Sequence, residues 1–187
     1  MNIYDFDNTI FKGDSSNKFI WYSLIRHPLI VLWSFIKTLK ELIKWLFKKS
    51  NLGLIKSELF SFVKYIKNLP EYMDKYVLKH QKNIKKFYLD QMKDDDVIIS
   101  ASFEFIVRPF CDKLGIKHII ATEYDVENGH IIGKNCKGPE KIERFRKIFP
   151  KNKVKYAYSD SLSDIPMFKI AEKGFLVKDE IIEEYKN

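Results

Sequence analysis

Apolar residues fall along this chain in two rhythms. Short apolar runs bounded by polar turns read as strands over residues 1 to 7, Asp96 to Ala101, Lys117 to Thr122, Lys153 to Tyr158 and Gly174 to Val177. Between them, helical spacing runs from Ser102 to about Leu114, where Gly115 supplies a stop, from about Pro139 to Ile148, and from Ile165 to Lys173. Glu127-Asn128-Gly129-His130 reads as the turn of a β-hairpin. Strands alternating with helices specify an α/β fold with a mainly parallel sheet, and such sheets bind ligands beyond the carboxyl ends of their strands.

The first two strands are separated by a segment with helical periodicity and no strand pattern. Its helices are expected near 15 to 26, 29 to 48, 52 to 68 and 70 to 92, with Pro28 and Pro70 near helix starts. This predicts a helical cap, residues 15–92, inserted into a core made of residues 1–14 and 93–187. In the second helix Leu32, Phe35, Ile36, Leu39, Leu42, Ile43 and Leu46 form an apolar stripe opposed by Lys37, Lys40, Lys44 and Lys48. Two uses of that stripe are open. It can fill the interior of a four-helix cap, which is the favoured expectation, or rest with Trp33 and Trp45 on an anionic membrane surface.

At 187 residues the chain can bury one good core, or a core with a sizeable insertion. A hydrophobic fraction of 45% and an aromatic fraction of 15% exclude disorder as a description of the whole. The net charge of +8 is unevenly placed: residues 15 to 90 hold 15 Lys and Arg against 5 Asp and Glu, whereas residues 91 to 187 hold 17 of each. Basicity therefore belongs to the predicted cap. Cys111 and Cys136 form neither a disulfide framework nor a CxxC pair, so both are expected to be reduced thiols. The first strand begins at once, leaving no room for a signal sequence, and the apolar stretch Pro28 to Ile36 is far shorter than the roughly 20 residues of a membrane span. The expected location is the cytoplasm, with peripheral contact at the inner membrane surface as an option.

Polar residues gather at the predicted strand ends. Asp5-Phe6-Asp7-Asn8-Thr9 places two acids one residue apart, and alternate side chains of a strand share a face. One carboxylate can act as a nucleophile while its neighbour transfers a proton; the bland alternative is a surface turn. Ser100 ends a strand and can donate to an anionic oxygen, leaving Ser102 to cap the helix that follows. Asp160 and Asp164 flank a strand-to-helix junction and suit Mg2+, a hard cation that takes one or two carboxylates and waters. Asp164 could equally favour the helix N-terminus through its dipole. A lysine is needed to screen a phosphoryl group among these acids, and Lys137 and Lys141 both qualify.

Taken together, these residues resemble the haloacid dehalogenase superfamily. Asp5-Phe6-Asp7-Asn8-Thr9 is similar to its DxDxT motif, Ser100 to its second motif, Lys137 or Lys141 to its third, and Asp160 with Asp164 to its fourth, in that order. Lys137-Gly138 resembles the pair in phosphoserine phosphatases, whereas Lys141, three residues after the glycine, resembles other members of that branch and is slightly favoured. A helical insertion directly after the first motif resembles the cap of the phosphoserine phosphatase-like branch.

The resemblance implies a Rossmann-like parallel sheet, Mg2+ and phosphoryl transfer through an aspartyl-phosphate. On that basis Asp5 is expected to attack phosphorus, Asp7 to act as acid and then base, Ser100 and the lysine to hold phosphoryl oxygens, and Asp5, the Asp7 carbonyl, Asp160 and Asp164 to serve the metal. The expected substrate is a phosphomonoester, a small anion or a lipid phosphate. A phosphotransferase of the same chemistry is an alternative, as is a non-catalytic protein that uses the basic cap for an anionic membrane or nucleic acid. Nucleic acid is the less expected partner, since Lys64-Tyr65 and Lys86-Phe87-Tyr88 are ordinary on amphipathic helices. Oligomeric state is not encoded in any of these patterns.

Overall fold

The computed structural model describes residues 1–186. In chain order, β1 (Asn2–Tyr4) leads into α1 (Ser15–Arg26), α2 (Pro28–Leu46), α3 (Leu52–Leu59), α4 (Leu69–His80) and α5 (Lys86–Leu89). There follow β2 (Val97–Phe103), α6 (Glu104–Lys113), β3 (His118–Thr122), β4 (Tyr124–Asp125), β5 (His130–Ile131), α7 (Pro139–Ile148), β6 (Val154–Ser159), α8 (Ile165–Ile170), β7 (Ala171–Lys178) and β8 (Ile181–Glu184). The main sheet runs β3-β2-β1-β6-β7-β8, parallel throughout except for the antiparallel edge strand β8. This is the mostly parallel α/β architecture that the strand and helix pattern predicts, and the Rossmann-like sheet that the resemblance implies. β4 and β5 pair as the expected small hairpin.

The pleat sorts the central strands into two apolar faces. Ile3, Val97, Ile99 and Ala157 face one cluster with Phe145 of α7 and Met167 and Phe168 of α8. Tyr4, Ile98 and Tyr158 face the other, which takes in α6 and the helices between β1 and β2. There the two parts of the chain share one interior: Tyr76 of α4 meets Phe110 of α6 at 5.6 Å between ring centroids, and Phe60 meets Phe103 of β2 at 4.8 Å. Such contacts stabilise by about 0.5–1.5 kcal/mol each beyond the area they bury.

Several boundaries differ from the sequence expectation, each for a local reason. The helix expected over 52 to 68 ends at Leu59, gives way to a 3-10 turn over Ser61–Tyr65, and restarts after Asn68, whose φ of 50° lies in the left-handed region. The helix expected over 70 to 92 ends at His80, because the returning chain extends to pair with the outgoing one. Lys12 N–H donates to the Asn83 carbonyl at 2.7 Å, and Lys85 N–H donates to the Ile10 carbonyl at 2.8 Å. These bonds form a neck. Helix α8 stops at Ile170, and β7 begins three residues earlier than predicted. Gly174 lets the Phe168 ring lie against it, since a Cβ there would stand 2.7 Å from that side chain. Strand β8, wholly exposed, was not predicted.

The largest departure concerns α2. The favoured expectation, that its apolar stripe fills the cap interior, is not met: Val31 and Ser34 are its buried residues, while Leu32, Ile36, Leu39, Leu42, Ile43 and Leu46 are exposed. α2 lies against α1 and α3 on one side only, so the four helices form no closed bundle that could enclose the stripe. Among the described residues, no helix is long and apolar enough to cross a membrane.

Candidate active site

The carboxyl ends of β1, β2 and β6 meet around a pocket of about 360 Å³ lined by Asp5, Asp7, Ser100, Lys137, Lys141, Asp160 and Asp164, together with Lys56 and Asn135. Every residue singled out from the sequence thus borders one cavity. Their surroundings differ.

Asp5 continues the β1 ladder through its N–H, which donates to the Tyr158 carbonyl at 2.9 Å, and its side chain is buried. The chain then turns sharply: Asn8 has a φ of 54°, a left-handed conformation that asparagine tolerates better than most residues. Lys85, also buried, donates to the Asn8 carbonyl at 2.5 Å and to the Asp179 carbonyl at 2.7 Å. Thr9 joins two strand ends, its hydroxyl donating to Asp5 Oδ2 at 3.4 Å while accepting from the Asp160 N–H at 2.9 Å. Thr9 in this motif therefore braces Asp5 against the loop that carries Asp160.

Lys141 is 1% exposed, and its ammonium donates to Asp5 Oδ1 at 2.6 Å and Asp164 Oδ2 at 2.7 Å. It reaches inward from the first turn of α7, which starts after Gly138 in a left-handed conformation at φ 57°. Lys137 lies before that helix and stands exposed at the pocket rim. Ser159 donates to Asp164 Oδ2 at 2.7 Å, while Asp164 Oδ1 is buried without a hydrogen-bond partner.

Asp7 faces the start of the helical segment. Its Oδ1 accepts the Ser15 N–H at 2.6 Å, and its Oδ2 accepts the Ser102 hydroxyl, which in turn lies 2.9 Å from the Ser16 hydroxyl. Ser102 was expected to cap the following helix. Instead β2 continues through an irregular register to Phe103, so Ser102 stays on the strand and turns to Asp7, and α6 begins with no side-chain cap. Ser100 accepts the Ser102 N–H at 3.0 Å.

Burial sets the electrostatics. It pushes the Asp5 carboxyl up to about 7, against the pull of Lys141 and with a further push from Asp164. The Asp7 carboxyl is likewise raised by burial, in spite of its bonds to Ser102 and Ser15. Asp160 rises through burial and the nearby Asp164 charge. For Lys141 burial opposes the charge, yet Asp5 and Asp164 outweigh it and hold the ammonium above the usual lysine range. The site thus carries one buried cation among acids that resist ionisation.

Among the described residues, no three His, Cys, Asp or Glu side chains converge into a ready-made metal cage. The donor set nevertheless fits Mg2+, which takes one or two protein carboxylates and keeps several waters: Asp5 and Asp160 supply hard oxygens, and the orphaned Asp164 Oδ1 is a buried acceptor beside them.

Lys56 is among the lining residues that the sequence does not mark. Lys56, on α3, donates to the Ala101 carbonyl at 2.7 Å and to Asn135 Oδ1 at 2.9 Å, with its ammonium 4.4 Å from the Phe103 ring centroid. Burial lowers its pKa to about 8, opposed by the Asp7 and Asp14 charges. In the sequence it is one lysine among many on amphipathic helices, and nothing local marks it. Asn135 was equally silent, and Ser102 was read only as a helix cap, because their contacts come from strands and loops distant in the chain.

Comparison with known proteins bears on the family and the fold. A probable phosphatase of Mycobacterium tuberculosis is 40% identical over 81 residues, 39% of this chain and 28% of that protein. The chain spans less than half the length of the curated relatives it matches at this level. Among solved structures, a Bordetella pertussis protein of unknown function superposes with a TM-score of 0.70 at 14% identity, covering 93% of this chain and 87% of that one. A phosphoserine phosphatase in its apo form gives 0.53 at 19% identity, covering 92% and 82%. The model of the haloacid dehalogenase-like hydrolases matches residues 3–169. The chain belongs to the haloacid dehalogenase-like hydrolase family, with the fold of its phosphoserine phosphatase-like branch.

Proposed function

We propose that the protein is a Mg2+-dependent phosphomonoester hydrolase that works through an aspartyl-phosphate on Asp5. The observation that carries this reading is the convergence of Asp5, Asp7, Ser100, Lys141, Asp160 and Asp164 on one pocket at the carboxyl ends of the strands. Asp5 Oδ attacks phosphorus in line, forming an acyl phosphate as the bond to the leaving oxygen breaks. Asp7, whose carboxyl burial keeps protonated to higher pH than usual, gives its proton to that oxygen and then takes one from the water that hydrolyses the intermediate. Lys141 and the Ser100 hydroxyl hold the equatorial oxygens.

Asp5, Asp160 and the Asp7 carbonyl would hold Mg2+, with Asp164 in support. When bound, the ion offsets the repulsion between a phosphate dianion and the carboxylates around it.

Residues 15–92 serve in this reading as the cap over a core of residues 1–14 and 93–187, and Lys56 and Lys137 give the mouth positive charge that suits an anionic substrate. The expected setting is the cytoplasm. Hydrolysis of p-nitrophenyl phosphate with and without Mg2+ tests the reading: Asp5→Asn should abolish turnover, and activity that survives this change overturns it. Product analysis with an added alcohol separates transfer to water from transfer to a second acceptor.

A further inference from the structure

The face of α2 that the fold leaves open has a regular composition. Leu29, Leu32, Ile36, Leu39, Ile43 and Leu46 recur at alternating steps of three and four, which puts them on one stripe, and each is 48–81% exposed. An open apolar stripe of this length is unusual for a water-facing surface. Trp33 extends it. Of the protein's three tryptophans, Trp33 flanks the stripe and is 51% exposed, whereas Trp45 projects from the other side of α2 and Trp21 belongs to α1.

Charge accompanies the stripe with one sign. Between residues 26 and 49 stand six cations, Arg26, Lys37, Lys40, Lys44, Lys48 and Lys49, against the single acid Glu41. Glu41 is already taken by Lys44 at 2.5 Å and Ser50 at 2.8 Å. On the helix wheel Lys37, Lys40 and Lys44 follow the apolar stripe along one flank, while Val31, Ser34 and Thr38 turn inward to the protein.

From this arrangement we infer that the outer face of α2 docks on an anionic lipid surface, lying in the plane of the interface. The leucines and isoleucines enter the headgroup boundary, Trp33 takes the amphipathic zone, and the lysines reach the lipid phosphates with their alkyl stems laid along the apolar layer. With 19 residues and no qualifying span, α2 rests on the bilayer rather than crossing it. The same spacing could seat a second copy through a helical seam. Charge argues against that occupant, since pairing two such faces would bring two rows of lysines together without acids to offset them.

The inward side of α2, opposite the docked face, packs on α3, which reaches the pocket. Ser34 of α2 donates to the Leu59 carbonyl at the end of α3 at 3.2 Å, and α3 carries Lys56 into the site. Docking would therefore hold the helix that borders the mouth at the lipid surface. The inference stands on the exposed face alone and does not need the proposed hydrolase chemistry.

Co-sedimentation of the full chain with vesicles tests it, using phosphatidylcholine alone and phosphatidylcholine with about 30% phosphatidylglycerol, alongside intrinsic tryptophan emission. The expected result is sedimentation with the anionic vesicles only, a blue shift of emission on binding, and release by high salt. Leu39→Glu/Ile43→Glu, at exposed positions, should remove binding. Lys37→Glu/Lys40→Glu should weaken it by at least about tenfold while circular dichroism stays unchanged. Absence of binding, equal binding to neutral vesicles, or a stable dimer whose emission ignores vesicles would each overturn the inference, the last in favour of a second copy. Hydrolysis of p-nitrophenyl phosphate in the same preparations reports the chemistry separately, so loss of one property is not confused with loss of the other.

Discussion

The Lys141 ammonium joins Asp5 at 2.6 Å to Asp164 at 2.7 Å, a single buried cation tying the end of β1 to the loop after β6. Removing one member of a buried ion pair leaves the other charges unpaired, typically at a cost of about 3–5 kcal/mol. Lys141→Met should lower thermal stability sharply in a melting experiment. It should also reduce aryl phosphate hydrolysis by on the order of a hundredfold or more, through loss of a preorganised cation at the phosphoryl group.

The hydroxyl of Ser102 donates to Asp7, and this bond favours the ionised carboxylate. In Ser102→Ala burial acts without that counterweight, so the Asp7 pKa rises further. The pH–rate profile should then move its Asp7-dependent limb to higher pH, with turnover reduced by roughly tenfold. An unchanged profile would mean that Ser102 does not act through Asp7.

Lys56 should supply a second pH dependence. Burial brings its pKa to about 8, so the ammonium at the pocket wall is lost as pH rises through that value. Because the folded pKa lies below the unfolded value of about 10.4, the unfolded chain binds more protons between the two, and this group's contribution to stability rises with pH across that window. Activity toward an anionic phosphomonoester should move the other way, with KM increasing above about pH 8. Lys56→Gln should raise KM at neutral pH and abolish that alkaline limb.

Chelation provides the metal test. Addition of EDTA should stop turnover and Mg2+ should restore it, while Asp160→Asn should raise the Mg2+ concentration for half-maximal activity by on the order of tenfold. Melting temperature gives a readout apart from activity: Mg2+ should stabilise the wild-type chain by mass action and stabilise Asp160→Asn less.

Strand and helix alternation gave the sheet, because β1 and β2 are buried on both faces and read as apolar runs, while β3 and β6 bury their carboxyl-terminal halves. The acids were legible for a related reason: a polar residue ending such a run stands at a strand's carboxyl edge. Boundaries inside the helical segment were less legible, since the break near Ile84 depends on pairing with Phe11, far away in the chain. Lys56 was hidden because its environment is made by Ala101 and Asn135. The openness of α2 was hidden too, as an apolar stripe has the same spacing whether or not something covers it.

The neck at residues 10 to 12 and 83 to 85 has a consequence for variation between related chains. Its hydrogen bonds close the long excursion of the chain at its base, so the ends of that excursion stay fixed whatever its length, and lengthening a closed loop carries only a small entropic cost. Helix α2 buries Val31 and Ser34 and packs Ile30 and Phe35 against the core, while its leucines face outward. It can exchange its leucines and lysines freely without disturbing Asp5 or Asp7. Substitution on that outward face can therefore alter the surface it presents while the pocket residues keep their places.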